Sequence, residues 1–204
     1  MCIRDRISFE ARRSEYVDTK SGVSARMSIS CYENLISTAE RRMLINEESN
    51  TSIRMSDFFG IMPSINGKIE LVYEGEQEGA RKISFHLINE AVKTLFVNFF
   101  PKIEKLQKPD ESTPYDNLLA WFFKDNKLFL DDNEKENNYR KKIESIPEAV
   151  ELVKKYAKNT KNEDIYFMVE FLLWGLEAYK KLNKYRSIDG FEFKDSLGSY
   201  IKNL

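Results

Sequence analysis

One histidine, two cysteines, eight glycines and five prolines are spread through 204 residues. So little glycine and proline argues against a turn-dense all-β protein. The lone histidine, His86, removes the usual zinc sites and most nucleophile–histidine–acid arrangements. It reads as a surface or half-buried helical residue. Cys2 and Cys31 form no disulfide framework and fit a reducing, cytoplasmic setting, with Cys31 as a small core residue. No apolar run approaches the roughly 20 residues that span a bilayer, and no signal peptide is visible, so no membrane contact is expected. Lys and Arg number 32 against 33 Asp and Glu. That balance gives no electrostatic reason to expect nucleic acid. There is also no Gly-x-x-x-x-Gly-Lys-Ser/Thr loop, no dinucleotide fingerprint, and no apolar strand ending in an acidic pair for magnesium. A self-contained nucleotide hydrolase is therefore not expected.

What remains is apolar and aromatic: 42% hydrophobic residues with 14 Phe and 10 Tyr, enough for a real core. The periodicity is mainly helical. Residues 7–20 are polar and read as a short helix or loop. Met27, Cys31, Leu35, Ala39 and Met43 recur every four residues, widened by Ile36 and Leu44, and predict a helix from Ser24 to Ile45 with Ser24 as N-cap. A short helix is expected over 54–62, ending at Gly60 or Pro63. In 67–74, Ile69, Leu71 and Tyr73 alternate as in a strand, although a helical turn fits as well. Glu74, Glu76 and Glu78 then form an acidic turn, read as solvated or as a partner contact rather than as a cation site because the Asp-rich spacing of a calcium loop is missing. Ile83, Leu87, Ala91, Leu95 and Phe99 predict a helix from Ala80 to Phe100. Residues 102–112 read as a linker. Thr113-Pro114-Tyr115-Asp116 opens a helix to about Lys124. A charged loop over 131–138 precedes a helical face of Tyr139, Ile143 and Ile146. Ser145-Ile146-Pro147-Glu148 reads as a capping box for a helix to Lys158. Residues 163–184 form an amphipathic helix, Phe191 and Phe193 a short strand, and a last turn is expected near Tyr200. Trp121 and Trp174 fall in apolar stripes and read as core.

Arg26 stands out. The amino end of a helix already carries partial positive charge, so an arginine there suits an anion held jointly by backbone N–H groups and the guanidinium. The other reading is an ion pair with Asp18 or Glu15.

Ser21-Gly22-Val23-Ser24-Ala25-Arg26 resembles the sensor-2 region of AAA+ ATPases of the magnesium-chelatase subunit I and MoxR type, in which a Gly-x-Ser-x-Arg-like motif opens a helix of the lid domain. Ile53-Arg54-Met55-Ser56-Asp57 is similar to the region that follows. Pro63 to Glu76 resembles a segment of a magnesium-chelatase-like bacterial subgroup. The resemblance covers residues 8–100, with the three segments in the family's order. It implies that Arg26, with Gly22 and Ser24 in its motif, touches the terminal phosphates of ATP and couples hydrolysis to lid movement. It also implies ATP and magnesium in the whole protein, a homo-oligomeric ring, and an ATPase core preceding residue 7, where the family carries its phosphate loop, magnesium acids, sensor 1 and arginine finger. Arg12 and Arg13 lie too near sensor 2 to be that finger. Residues 106–204 carry no resemblance.

Met1 to Arg6 resemble the read-through of a sequencing adapter and are set aside as a non-native leader. The resulting expectation is a mainly α chain with at most a short strand or hairpin. It comprises an AAA+ lid-like bundle over 7–105 and a helical extension over 106–204, without activity of its own. A protein partner of unknown identity is implied. The alternative is a non-enzymatic helical interaction module, whose aromatic-rich helices after residue 113 form the binding surface.

Overall fold

The computed structural model describes residues 3–18, 20, 23–103 and 112–196. Helix α1 spans Ile3–Arg13, α2 Arg26–Ile45, α3 Met62–Asn66, α4 Tyr73–Glu78, α5 Ala80–Phe96, α6 Asp116–Phe123, α7 Glu136–Glu144, α8 Ala149–Tyr156 and α9 Ile165–Ala178. Strands β1 (Leu128–Asp131), β2 (Leu182–Arg186) and β3 (Gly190–Asp195) form an antiparallel sheet in the order β1-β3-β2. The chain is thus mainly α, as expected. Its sheet is larger than the short strand or hairpin the sequence suggested.

The expected apolar stripes bury as a period of 3.6 requires. Met27, Cys31, Leu35 and Ala39 of α2 face inward, as do Ile83, Leu87, Ala91 and Leu95 of α5. Helix α2 opens two residues after Ser24, whose Oγ accepts the Arg26 backbone N–H at 3.2 Å. Residues 55–61 coil as a 3-10 helix. Pro63 does not stop the chain but sits in the first turn of α3, where its missing N–H is no loss. The alternation in 67–74 yields two isolated antiparallel bridges, Val17 to Leu71 and Val23 to Ile69. The acidic segment after it is helical, forming α4, with Glu78 paired to Lys82. Asp116 caps its own turn by accepting the Thr113 backbone N–H at 2.7 Å.

Two expectations need correction, and one strand lies where none was assigned. Ser145 caps nothing at α8, because its hydroxyl donates to the Lys142 carbonyl at 2.7 Å; Glu148 enters α8 with a left-handed φ of 60° instead. The long helix expected over 163–184 ends at Ala178. There Lys180 turns left-handed (φ 59°), and the N–H groups of Lys180 and Lys181 return to the carbonyls of Glu177 and Leu176, a Schellman closure. Leu182 then starts β2. Residues 128–131 are a strand: Leu128 and Leu130 pair with Phe193 and Phe191 of β3, and all four side chains are buried.

A single apolar cluster extends from Ile3 to Phe193. It runs across the boundary expected at residue 105, since α5 packs against α9. Gly175 of α9 allows that close approach, for a Cβ there would lie 2.0 Å from Phe96 Cδ2. At Gly190 a Cβ would meet the Leu130 carbonyl oxygen at 2.1 Å, so β1 and β3 meet only over a glycine. Trp174 is fully buried among Phe59, Phe85 and Phe191, whereas Trp121 is half-buried against Phe122. Residues 3–6, set aside above as a leader, form the first turn of α1, and Ile3 lies in the core cluster. Most of the expected linker and the turn near Tyr200 lie outside the described residues.

Candidate functional site

Helices α2 and α9 stand on either side of a groove of about 550 Å³. Tyr32, Leu35 and Ile36 form the α2 wall, and Phe167, Met168 and Phe171 the α9 wall. Phe58, Leu95 and Phe99 lie between them. The rims are polar, with Thr51 and Ser52 on one side and Thr160, Glu163 and Asp164 on the other. Ile29 and Tyr32 are 60% and 49% exposed. With Ile36 they are spaced three and four residues apart. They therefore share a face of α2 roughly 130° round from the Met27–Cys31–Leu35 line, at about 100° per residue. The α2 helix thus carries two apolar faces, one buried in the core and one turned to the groove and solvent. The Arg4 guanidinium lies 4.4 Å from the centre of the Tyr32 ring.

A buried ionic network supports the Thr51–Ser52 rim. Arg42 interrupts the apolar stripe of α2 and is 1% exposed. It pairs with Asp57 and donates through Nη2 to the Ser52 carbonyl (2.6 Å) and to Thr51 Oγ1 (3.1 Å). Asp57 also accepts the Arg54 backbone N–H at 2.7 Å. The Arg54 guanidinium lies over Tyr139 at 4.1 Å and donates to Glu136 Oε2 at 3.1 Å. Glu136 takes further bonds from the Ser52 hydroxyl (3.0 Å) and Arg140 Nε (2.9 Å). Burial works against its charge, but the bonds from Arg140 and Arg54 hold its carboxyl below the usual range. Glu170 is fully buried and accepts from the Met55 backbone N–H (2.8 Å) and the Tyr139 hydroxyl (3.0 Å). Burial pushes it up to about 7. These acids are committed to neighbours that tie α2, the 3-10 segment, α7 and α9 together. They form a frame for the groove rather than an acid–base pair open to a substrate.

The residues singled out in the sequence lie elsewhere. Arg26 is exposed in the first turn of α2, and among the described residues its guanidinium has no ion pair, with Asp18 and Glu15 included. Ser24 is exposed beside it, and Gly22 lies outside the described residues. His86 is exposed on α5, edge-on to Tyr16. Cys31 is a buried core thiol, pushed up to about 11 by burial and therefore unreactive. No cluster of three or more metal-ligating side chains occurs among the described residues, and no helix there is long and apolar enough to cross a membrane. The groove and its frame carried a sequence signal of their own. Tyr32, which lines the groove, and Ile29 beside it sit off the core stripe of α2, while Arg42 and Glu170 of the frame are charges inside apolar stripes.

No family model, no curated protein and no solved structure matches the chain.

Proposed function

We propose that this chain is a non-enzymatic helical interaction module that holds a partner protein at the groove between α2 and α9. The observation that carries this reading is the second apolar face of α2, Ile29–Tyr32–Ile36, left open beside a groove with an apolar interior. Contiguous exposed apolar surface rimmed by polar groups marks interaction sites. A buried frame that fixes one rim keeps such a surface preorganised, which lowers the ordering cost of binding. The groove draws only one wall, α9, from the helices after residue 113 that were expected to form the binding surface; α2 supplies the other. A photo-crosslinking residue in place of Tyr32, introduced in the native cells, should trap one protein of defined mass. The same probe at Lys155, exposed on α8, should trap none. Equal labelling at both positions, or none at Tyr32, would overturn the reading.

A second reading concerns the other end of α2. Arg26 presents a solvent-facing guanidinium at the amino end of α2, where its own N–H is held by Ser24 Oγ and that of Met27 by the Ser24 carbonyl; the partial positive charge of that end suits an anion. This favours the AAA+ lid reading, in which the partner body is an ATPase core of the magnesium-chelatase type and Arg26 meets the phosphates of ATP held there with magnesium. Grafted behind an intact core of that family, Arg26→Ala should lower ATP turnover at least about tenfold, the scale of losing a charged phosphate contact. Undiminished turnover in the chimera would rule the lid reading out.

A further inference from the structure

We propose that the groove takes an amphipathic helix of the partner protein, apolar on one face and carrying a lysine or arginine that meets Glu163 and Asp164. This rests on the docking reading above and names the partner's chemistry. Three observations carry it. First, the interior of the groove is made of side chains, with Phe58, Leu95 and Phe99 between its walls, and the polar groups, hydroxyls and two carboxylates, are confined to the rims. An extended peptide laid there would bury backbone N–H and C=O groups without partners, whereas a helix satisfies its own. Second, both walls are helices. The helices that carry them are 20 and 14 residues long, or about 30 and 20 Å, and line the groove over Tyr32–Ile36 and Phe167–Phe171. A third helix can therefore lay its ridges between them, as in helix-in-groove recognition. Third, the α9 rim is acidic. Among the described residues Glu163 is paired only with Lys161, at 3.6 Å, and both side chains are more than 70% exposed. Such a pair is weak and leaves the carboxylate available. Asp164 is exposed and has no ion pair among the described residues.

The test uses the full chain and labelled synthetic peptides, read by fluorescence anisotropy. One peptide is a helix of about four turns with leucines at i, i+3 and i+7 and an arginine beside the apolar face. A second has glutamate for that arginine, a third has the same composition scrambled, and a fourth has two internal prolines. The first should bind, the second at least tenfold more weakly, and the scrambled and proline peptides not measurably. In the Glu163→Lys/Asp164→Lys chain the preference between the first two should reverse. Thermal melting should show that this chain is folded, since both positions are exposed. Equal binding of all four peptides, or a preference that survives the charge swap, overturns the helix. If the first peptide binds only after residues 197–204 are deleted, the occupant is the chain's own segment with Leu197, Ile201 and Leu204, and the partner assignment falls. Trapping at Tyr32 that persists while every peptide fails overturns the helix alone; loss of that trapping overturns the docking reading itself.

Discussion

Replacing Asp57 with alanine should cost about 3–5 kcal/mol of folding stability, the range for breaking a buried ion pair from one side. Arg42 is almost wholly buried and keeps its charge, so without Asp57 it would retain only the neutral oxygens of Thr51 and Ser52. The Arg54 backbone N–H would lose its acceptor as well. At roughly 2–4 °C per kcal/mol for a chain of this size, the melting midpoint should fall by about 10 °C. The pair as such should matter much less than its completeness. In Arg42→Met/Asp57→Leu both charges go together and the cavity stays filled, and such replacements are often neutral or stabilising. Urea titrations of the single and double variants separate the two effects. A loss below about 1 kcal/mol in Asp57→Ala would mean that Arg42 is not held by this carboxylate. A stable double variant would further show whether the ions are kept for the groove. Arg42 fixes the Ser52 carbonyl and Glu136 its hydroxyl, so without the network that rim should loosen even where the fold survives.

The helices were legible because each buries one face, and a four-residue repeat such as Met27–Cys31–Leu35–Ala39 records that locally. The misses share a different cause. Strand β1 is the tetrapeptide Leu-Phe-Leu-Asp, too short for its own periodicity to decide, and its partner β3 lies far along the chain. The end of α9 carries no glycine: Lys180 takes the left-handed position that a glycine would have signalled. At Ser145 the capping pattern was present, but its hydroxyl had a nearer acceptor at the end of α7. The groove is a matter of assembly. Its walls come from α2, which packs on the 3-10 segment and α3, and from α9, which packs on α5 and the same 3-10 segment, and no local pattern encodes that concavity. What the sequence did carry was misfit: Ile29 and Tyr32 off the core face, Arg42 and Glu170 on it. Such residues contradict the local pattern and gain their meaning only from the tertiary surroundings. Arg26 is the opposite case, a misfit with a legible motif whose described surroundings supply no partner.

Stability should pass through a trough near pH 7–8, set mainly by two buried groups that resist charging. Glu170 has an ordinary value of 4.5 and is pushed up to about 7, first by burial and against the bonds it accepts from Met55 and Tyr139. An acid whose folded value is raised favours folding while it is protonated. Its contribution is complete below about 4.5 and is lost as pH rises to 7. Lys184 has the opposite sign. Its amine lies 3.4 Å from the centre of the Trp174 ring, is ion-paired with Glu177 at 2.9 Å and donates to Asn89 Oδ1 at 3.3 Å. Burial lowers it from 10.5 to about 8 in spite of Glu177. Its contribution is therefore present above 10.5 and lost as pH falls to 8. Each gap spans about 2.5 pH units, which at 1.36 kcal/mol per unit is about 3 kcal/mol on either side of the trough. Glu136, held below the usual range, acts in the reverse sense and weakens the fold in more acid solution, so the acid-side maximum belongs near pH 5. Denaturant midpoints from pH 4 to 10 measure the profile. Glu170→Gln keeps an oxygen for the Met55 N–H and the Tyr139 hydroxyl and should flatten the limb between 5 and 7; it also removes a carboxylate that supports the Lys184 charge, so the alkaline limb should persist and steepen slightly. Lys184→Met should do the converse. A wild-type curve that is level from 5 to 7 would mean that Glu170 is already ionised in the folded chain, with Arg54 as its counter-ion, and the network would then carry its charges in balance across that range.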